Sequence, residues 1–134
     1  MRGSCLCGQV RYEVSQLDAP IRHCSCRTCR KAHAAAFNTS SSARQEHFRW
    51  LAGADLLTAY ESSPGKHRYF CSRCGTQMVA RHVGSDTFIL RMATLDDDPQ
   101  QVPQGHIWMS HEVPWLNYGP DVPAHAEWAP ELSR

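Results

Sequence analysis

Seven cysteines fall in three tight clusters: Cys5-Leu6-Cys7, Cys24-Ser25-Cys26-Arg27-Thr28-Cys29 and Cys71-Ser72-Arg73-Cys74. Cysteines this close in sequence can turn two sulfurs toward one ion, and a thiolate is a strong ligand for a soft or borderline metal. The clusters hold two, three and two, so the odd total does not close as a disulfide framework. Two zinc sites account for it, one with four sulfurs and one with three.

The four-sulfur set is Cys5, Cys7, Cys71 and Cys74. Gly8 follows the first pair and Gly75 the last, each allowing a tight turn that other residues resist. Four sulfurs complete a tetrahedral shell, and a closed shell is structural. It would tie the N-terminal turn to one more than 60 residues away and stabilise a small fold. The alternatives are free buried thiols or a Cys5–Cys74-type disulfide. Cys24, Cys26 and Cys29 form the second set. The last two straddle an expected helix start, where the helix dipole favours thiolate. Three protein ligands plus one exchangeable position is the pattern of catalytic zinc. The alternatives are closure by His23 or His33, or a metal-free redox cluster. Zinc at an open site would keep a bound substrate thiol ionised at neutral pH. That anion could attack a small electrophile such as an aldehyde, and the reverse reaction would break a carbon–sulfur bond.

Many short strands must carry these clusters. Residues 9–14 alternate, with Val10, Tyr12 and Val14 on one face, and read as a strand. Residues 21–24 read as a second strand, 26–37 as a short helix, and 38–42 as a polar loop. Strands are expected at 56–61, at 77–82 and 87–93 as a hairpin, and at 106–109. Residues 46–51 carry Phe48, Trp50 and Leu51, and 67–70 lead into the third cluster. The tail after about residue 118 should be mostly irregular, with Pro120, Pro123 and Pro130. The fold class is mainly β with one short helix. Phe37, Phe48, Trp50, Trp108 and Trp115 read as core before a ligand cage. Asp96 to Asp98 read as a loop before Pro99 rather than a hard-cation site. His106 and His111 are candidate bases.

The chain has 134 residues, 42% apolar and 20% charged, with a formal net charge of +1. That suits one domain over 1–134 and gives no electrostatic reason to expect nucleic acid or an anionic membrane. No apolar run reaches the ~18 residues of a membrane span, and the start carries no apolar signal region. A reducing cytoplasm is expected, where clustered cysteines serve metals before disulfides.

Three stretches carry a family resemblance: Gly3-Ser4-Cys5-Leu6-Cys7-Gly8, Cys24 through Arg30-Lys31, and Phe70-Cys71-Ser72-Arg73-Cys74-Gly75. Weaker matches follow at Thr94-Leu95-Asp96-Asp97-Asp98, His106-Ile107-Trp108 and Pro114-Trp115. In these the chain resembles the glutathione-dependent formaldehyde-activating enzymes, the CENP-V/GFA domain, over roughly residues 3 to 118. The resemblance implies a β-tent, Mss4-like fold with two zinc ions. It implies a structural ion on Cys5, Cys7, Cys71 and Cys74, and a second on Cys24, Cys26 and Cys29 where the glutathione thiol acts. The implied activity is a carbon–sulfur lyase, joining glutathione to formaldehyde as S-hydroxymethylglutathione. Arg27, Arg30 and Lys31 could hold the carboxylates of glutathione, or form a solvated helix face. The chain departs from the family pattern at Ser25, often His, at Ala34-Ala35, often Gly-Ala, and at Glu112-Val113, where Lys commonly precedes Pro-Trp.

The leading expectation is a zinc-dependent enzyme joining a small-molecule thiol, glutathione by that resemblance, to an electrophile. The alternative is a non-catalytic, zinc-stabilised interaction module of the same fold. A thiol–disulfide or methionine sulfoxide repair enzyme ranks last, because no cysteine follows Cys74.

Overall fold

Val10, Tyr12 and Val14 are all fully buried, as their alternation requires. They begin the core of a computed structural model that describes residues 1–132. Strands β1 (Arg2–Ser4), β2 (Arg11–Val14) and β5 (Phe48–Ala52) form an antiparallel sheet in the order β1-β2-β5. The larger sheet holds β3 (Arg22–Cys24), β4 (Asn38–Arg44), β6 (Leu57–Ser63), β7 (Lys66–Cys71), β8 (Gln77–His82), β9 (Thr87–Arg91) and β10 (His106–Ile107). Its order is β10-β3-β4-β9-β8-β7-β6, antiparallel except for the β10–β3 pair. The one helix, α1, spans Arg27–His33. The fold is mainly β with one short helix, and neither sheet closes on itself.

Register decides what each face of the large sheet does. Val79 opposes Tyr69 and Leu90, and Leu90 opposes Ser41. Directly opposed residues share a face, so these stand together. Val79 and Leu90 join Met78 and Ala43 in one buried cluster with Tyr12, Val14 and Phe48 of the small sheet. The Tyr12 and Phe48 rings stack at 5.1 Å between centroids. The two sheets therefore bury their apolar faces against each other, which is the main stabilising term of the fold. Gly3 is part of that fit: a Cβ there would run into the Tyr12 ring.

The opposite face is polar. Ala80 opposes both Arg68 and Ile89, and Ser42 opposes Ile89. Cys24 opposes Asn38, and Ser40 opposes Arg91. Because alternate residues of a strand return to one face, Asn38, Ser40 and Ser42 line up with Arg68 and Arg91.

Three expectations change here. Residues 38–42 are not a loop but the start of β4, between β3 and β9. Their serines and threonine read as loop-like, yet small polar side chains suit a strand whose outer face is not apolar; Ser41 Oγ also donates to Ala19 O at 2.6 Å. The helix ends at His33 rather than near Phe37, because Ala34 takes a left-handed conformation (φ 48°, ψ 45°) that caps it. Trp108 and Trp115 are not core: they are 54% and 70% exposed. Among the described residues no strand or helix occurs from Glu112 to Ala129, and a short 3₁₀ turn follows at Pro130–Leu132. Residues 133–134 of the expected irregular tail lie outside the described residues.

Candidate metal centre and its cavity

The four-sulfur set sits where the two sheets meet at one end. Cys5 and Cys7 follow β1, Cys71 ends β7, and Cys74 lies in the turn to β8. The two turns are built alike. Gly8 N–H donates to Cys5 O at 2.9 Å, and Gly75 N–H donates to Cys71 O at 2.8 Å. Both glycines are left-handed, at φ 78° and 77°. All four Sγ atoms lie within 4.8 Å of one another. Cys5–Cys7 measures 3.5 Å and Cys7–Cys71 3.9 Å. A tetrahedron of Zn–S bonds near ~2.3 Å has edges of ~3.8 Å, so the set fits such an ion. A disulfide needs ~2.05 Å, and the cysteines are free thiols.

The three-sulfur set is deeper. Cys24 ends β3, Cys26 is the residue that caps α1, and Cys29 faces inward from its first turn. Cys26 Sγ accepts from Cys29 N–H at 3.3 Å, so the sulfur does the work of an N-cap oxygen. The three Sγ atoms lie within 4.8 Å of one another, and among the described residues no His, Asp or Glu atom joins them. Burial pushes the Cys24 thiol up to about 12, with Cys26 and Cys29 beside it. At Cys26 burial also opposes ionisation, but the Cys29 N–H, the neighbouring thiols and Arg68 outweigh it and hold the thiol below its ordinary value. Three adjacent thiolates would repel one another, so the donor chemistry fits a divalent cation.

Neither histidine considered as a fourth ligand belongs to this group. His23 Nδ1 pairs with Thr39 Oγ1 at 2.7 Å, and its ring packs on Phe37 and His106. His33 is neutral: burial, then the Arg91 and Arg68 charges, bring it down to about 4. The parallel strand β10 places His106 against the cluster's own backbone. Its Nε2 lies 2.6 Å from Oγ of Ser25, which is fully buried between the first two sulfurs in sequence.

A cavity of ≈ 250 Å³ opens on Cys26 and is walled by Ser62, Lys66, Arg68, Trp108 and His111. A second, of ≈ 490 Å³, shares Arg27, Thr28, Ser62 and Arg68 with it and adds Lys31, Tyr60 and Phe70. Among the described residues, neither wall contains a carboxylate. Arg27 and Lys31, singled out in the sequence, line this space. Arg30 does not: its Nε donates to Ser25 O at 3.2 Å and braces the cluster from behind. His111 lines the cavity, with its ring 4.9 Å from that of Trp108, whereas His106 is bound to Ser25. Trp108 enters the wall from a left-handed backbone, φ 59°, which is strained for an aromatic residue.

Sequence reasoning missed Lys66, Arg68 and Arg91. Lys66 is half-buried on the rim, where loss of solvation, then Arg68 and Arg91, pull its pKa down, and Cys29 and Cys26 partly restore it. The Asp96 to Asp98 run serves the small sheet. Ser4 Oγ donates to Asp96 at 2.8 Å, and Arg2 N–H donates to Asp97 at 2.7 Å. Among the described residues no helix is long and apolar enough to cross a membrane.

Comparison with known proteins bears on the family and the fold. A Halomonas elongata protein provisionally named as a glutathione-dependent formaldehyde-activating enzyme is 26% identical over 125 residues, which are 87% of this chain and 79% of that protein. A Rhodobacter sphaeroides protein of known crystal structure superposes with a TM-score of 0.62 at 29% identity, covering 77% of this chain and 98% of that one. Residues 1–111 match the family described as glutathione-dependent formaldehyde-activating enzyme, and the chain belongs to that family.

Proposed function

We propose that the three-sulfur site holds zinc with one exchangeable position, and that a thiol of the glutathione type is joined there to formaldehyde or a similar small aldehyde. The observation that carries this reading is the meeting of three sulfurs with a cavity walled by cations, where among the described residues no fourth His, Asp or Glu ligand and no carboxylate is found. Zinc bound by Cys24, Cys26 and Cys29 would supply an electropositive centre that keeps a substrate thiol ionised at neutral pH. Cys5, Cys7, Cys71 and Cys74 hold a second, structural zinc. Cys24, Cys26 and Cys29 thus act at the reaction centre, whereas the other four keep the two sheets together.

The cavity residues do the rest. Arg27 and Lys31 attract the carboxylates of an acidic peptide thiol and orient its sulfur toward Cys26. Phe70 and Trp108 narrow the space around the aldehyde and limit water. In the addition a sulfur–carbon bond forms, the carbonyl π bond breaks, and the thiol proton ends on the new hydroxyl. His111 stands in the wall where it can carry that proton. In the reverse direction the same groups release aldehyde and thiol, which makes the reaction a carbon–sulfur lyase.

Spectroscopy of the cobalt-substituted protein tests the reading. Millimolar glutathione should shift the charge-transfer bands of one of the two cobalt ions. NMR exchange between S-hydroxymethylglutathione and its components should run faster with protein than without. Bands that ignore thiols, together with an exchange rate equal to the uncatalysed one, would leave the family's zinc-stabilised interaction module as the better account.

A further inference from the structure

Arg68 and Arg91 belong to no sequence motif, yet they are among the most buried polar residues, 3% and 4% exposed. The strand registers place both on the polar face of the large sheet that also carries Cys24. Arg68 Nε donates to Ser62 Oγ at 2.9 Å, and its Nη2 lies 3.9 Å from Cys29 Sγ. Nη1 of Arg68 and both Nε and Nη2 of Arg91 are buried without a hydrogen-bond partner. Among the described residues every ion pair lies elsewhere, so no carboxylate neutralises either guanidinium.

A buried charge without a counter-charge is strongly destabilising, and two that repel each other are more so. Burial and the Arg68 charge draw Arg91 down to about 10, so it remains a cation at neutral pH, and thiolates at Cys29, Cys24 and Cys26 act in the opposite direction. Among the described residues, the negative charge acting on this pair comes from the sulfur cluster. The four-sulfur set has no such base. Cys7 is exposed and Cys74 half-buried, and the short contacts to its sulfurs come from Val10 N–H and the Thr76 hydroxyl, so water can solvate its charge.

We propose that Arg68 and Arg91 are positioning residues that form the buried counter-charge of the three-sulfur site and match it to an anionic fourth ligand. The inference rests on the reading that these sulfurs bind a divalent ion and then a thiol. Three thiolates and a divalent ion carry one negative charge. A substrate thiolate raises this to two, which the two buried guanidinium groups balance, while Lys66 at the half-buried rim keeps access to solvent. A neutral occupant, such as water or imidazole, leaves a buried positive charge over. The fourth position is therefore selective for thiolate by charge as well as by softness.

The test uses the full cobalt-substituted chain with Arg68→Met, Arg91→Met, Arg68→Lys and Arg91→Lys, the four-sulfur cobalt bands reporting folding in each. If a methionine variant loses those bands, glutamine replaces methionine at that position. Removing one buried charge partner should weaken cobalt retention at the three-sulfur site against a chelator by ~10-fold or more, with the four-sulfur site unchanged. Affinity for 2-mercaptoethanol should fall by ~10-fold, while imidazole binding stays within about 2-fold. The lysine variants should recover most of both losses. Neutral variants that retain cobalt as tightly as the native chain, with the same preference for thiol over imidazole, overturn the proposal. Were the native protein to ignore thiols while the neutral variants lost cobalt, the thiol reaction would fail and the counter-charge assignment would stand.

Discussion

Cys26 performs two tasks with one sulfur. It belongs to the three-sulfur set, and it caps α1 by accepting the Cys29 N–H. Serine is also a good N-cap, so Cys26→Ser keeps the helix start while removing one sulfur of the proposed metal site. Beneath the helix, His33 carries a different signal. Its ring stays neutral in the folded chain, with a pKa near about 4, while an unfolded histidine titrates near ~6.5. Between those values the unfolded state binds the extra proton, so stability falls as pH is lowered through this window. Denaturation at pH 6.5 and 5.5 should show native protein losing ~0.5–1 kcal/mol more than His33→Gln, after allowance for solvent screening of the half-buried ring. Equal losses would remove His33 from the acid response. The two sulfur sets were legible in the sequence because cysteine spacing is local. Arg68 and Arg91 were not, because an arginine among polar neighbours looks exposed until strand pairing buries it.

At the scale of elements, α1 and β4 show how the site is held. The helix is seven residues long and stops at Ala34, whose left-handed backbone costs a residue with a Cβ ~1–2 kcal/mol. Glycine adopts that backbone without the same strain. Ala34→Gly should therefore stabilise the protein by ~0.5–1 kcal/mol, read as a rise in the midpoint of chemical denaturation. A fall would mean that the cap tolerates its methyl without strain. Strand β4 explains a missed element. Its stretch Asn38-Thr39-Ser40-Ser41-Ser42 has loop composition but lies between β3 and β9, with Asn38 and Ser41 buried. Tertiary pairing overrides intrinsic preference wherever a sheet face needs small polar side chains under a charged site. The hairpin of β8 and β9 was readable for the opposite reason: its apolar residues and the Gly84-Ser85-Asp86 turn agree locally with the fold.

Over the whole molecule, the four-sulfur set joins the N-terminus of the small sheet to the β7–β8 turn of the large one, with Cys7 and Cys71 separated by 64 positions in sequence. Cys71 lies fully buried in the core, whereas Cys26 is half-buried at a cavity. Full metal removal by a strong chelator should lower the melting temperature by on the order of 10 °C or more. Cys71→Ser should reproduce that loss in untreated protein, while Cys26→Ser shifts it by only a few degrees and abolishes the thiol response of cobalt. A Cys26→Ser chain as unstable as Cys71→Ser would make both sites structural and favour the interaction module. The sequence by itself determined the grouping of the cysteines, the mainly β character and the family, because each rests on residues a few positions apart or on strict alternation. Only the tertiary structure decided what surrounds the three-sulfur site. Trp108 and His111 come from the segment after β10, Lys66 and Arg68 from β7, and Arg91 from β9. No local pattern links these positions. Strand order and register bring them to three sulfurs, and burial turns two arginines of ordinary appearance into the charge that faces them.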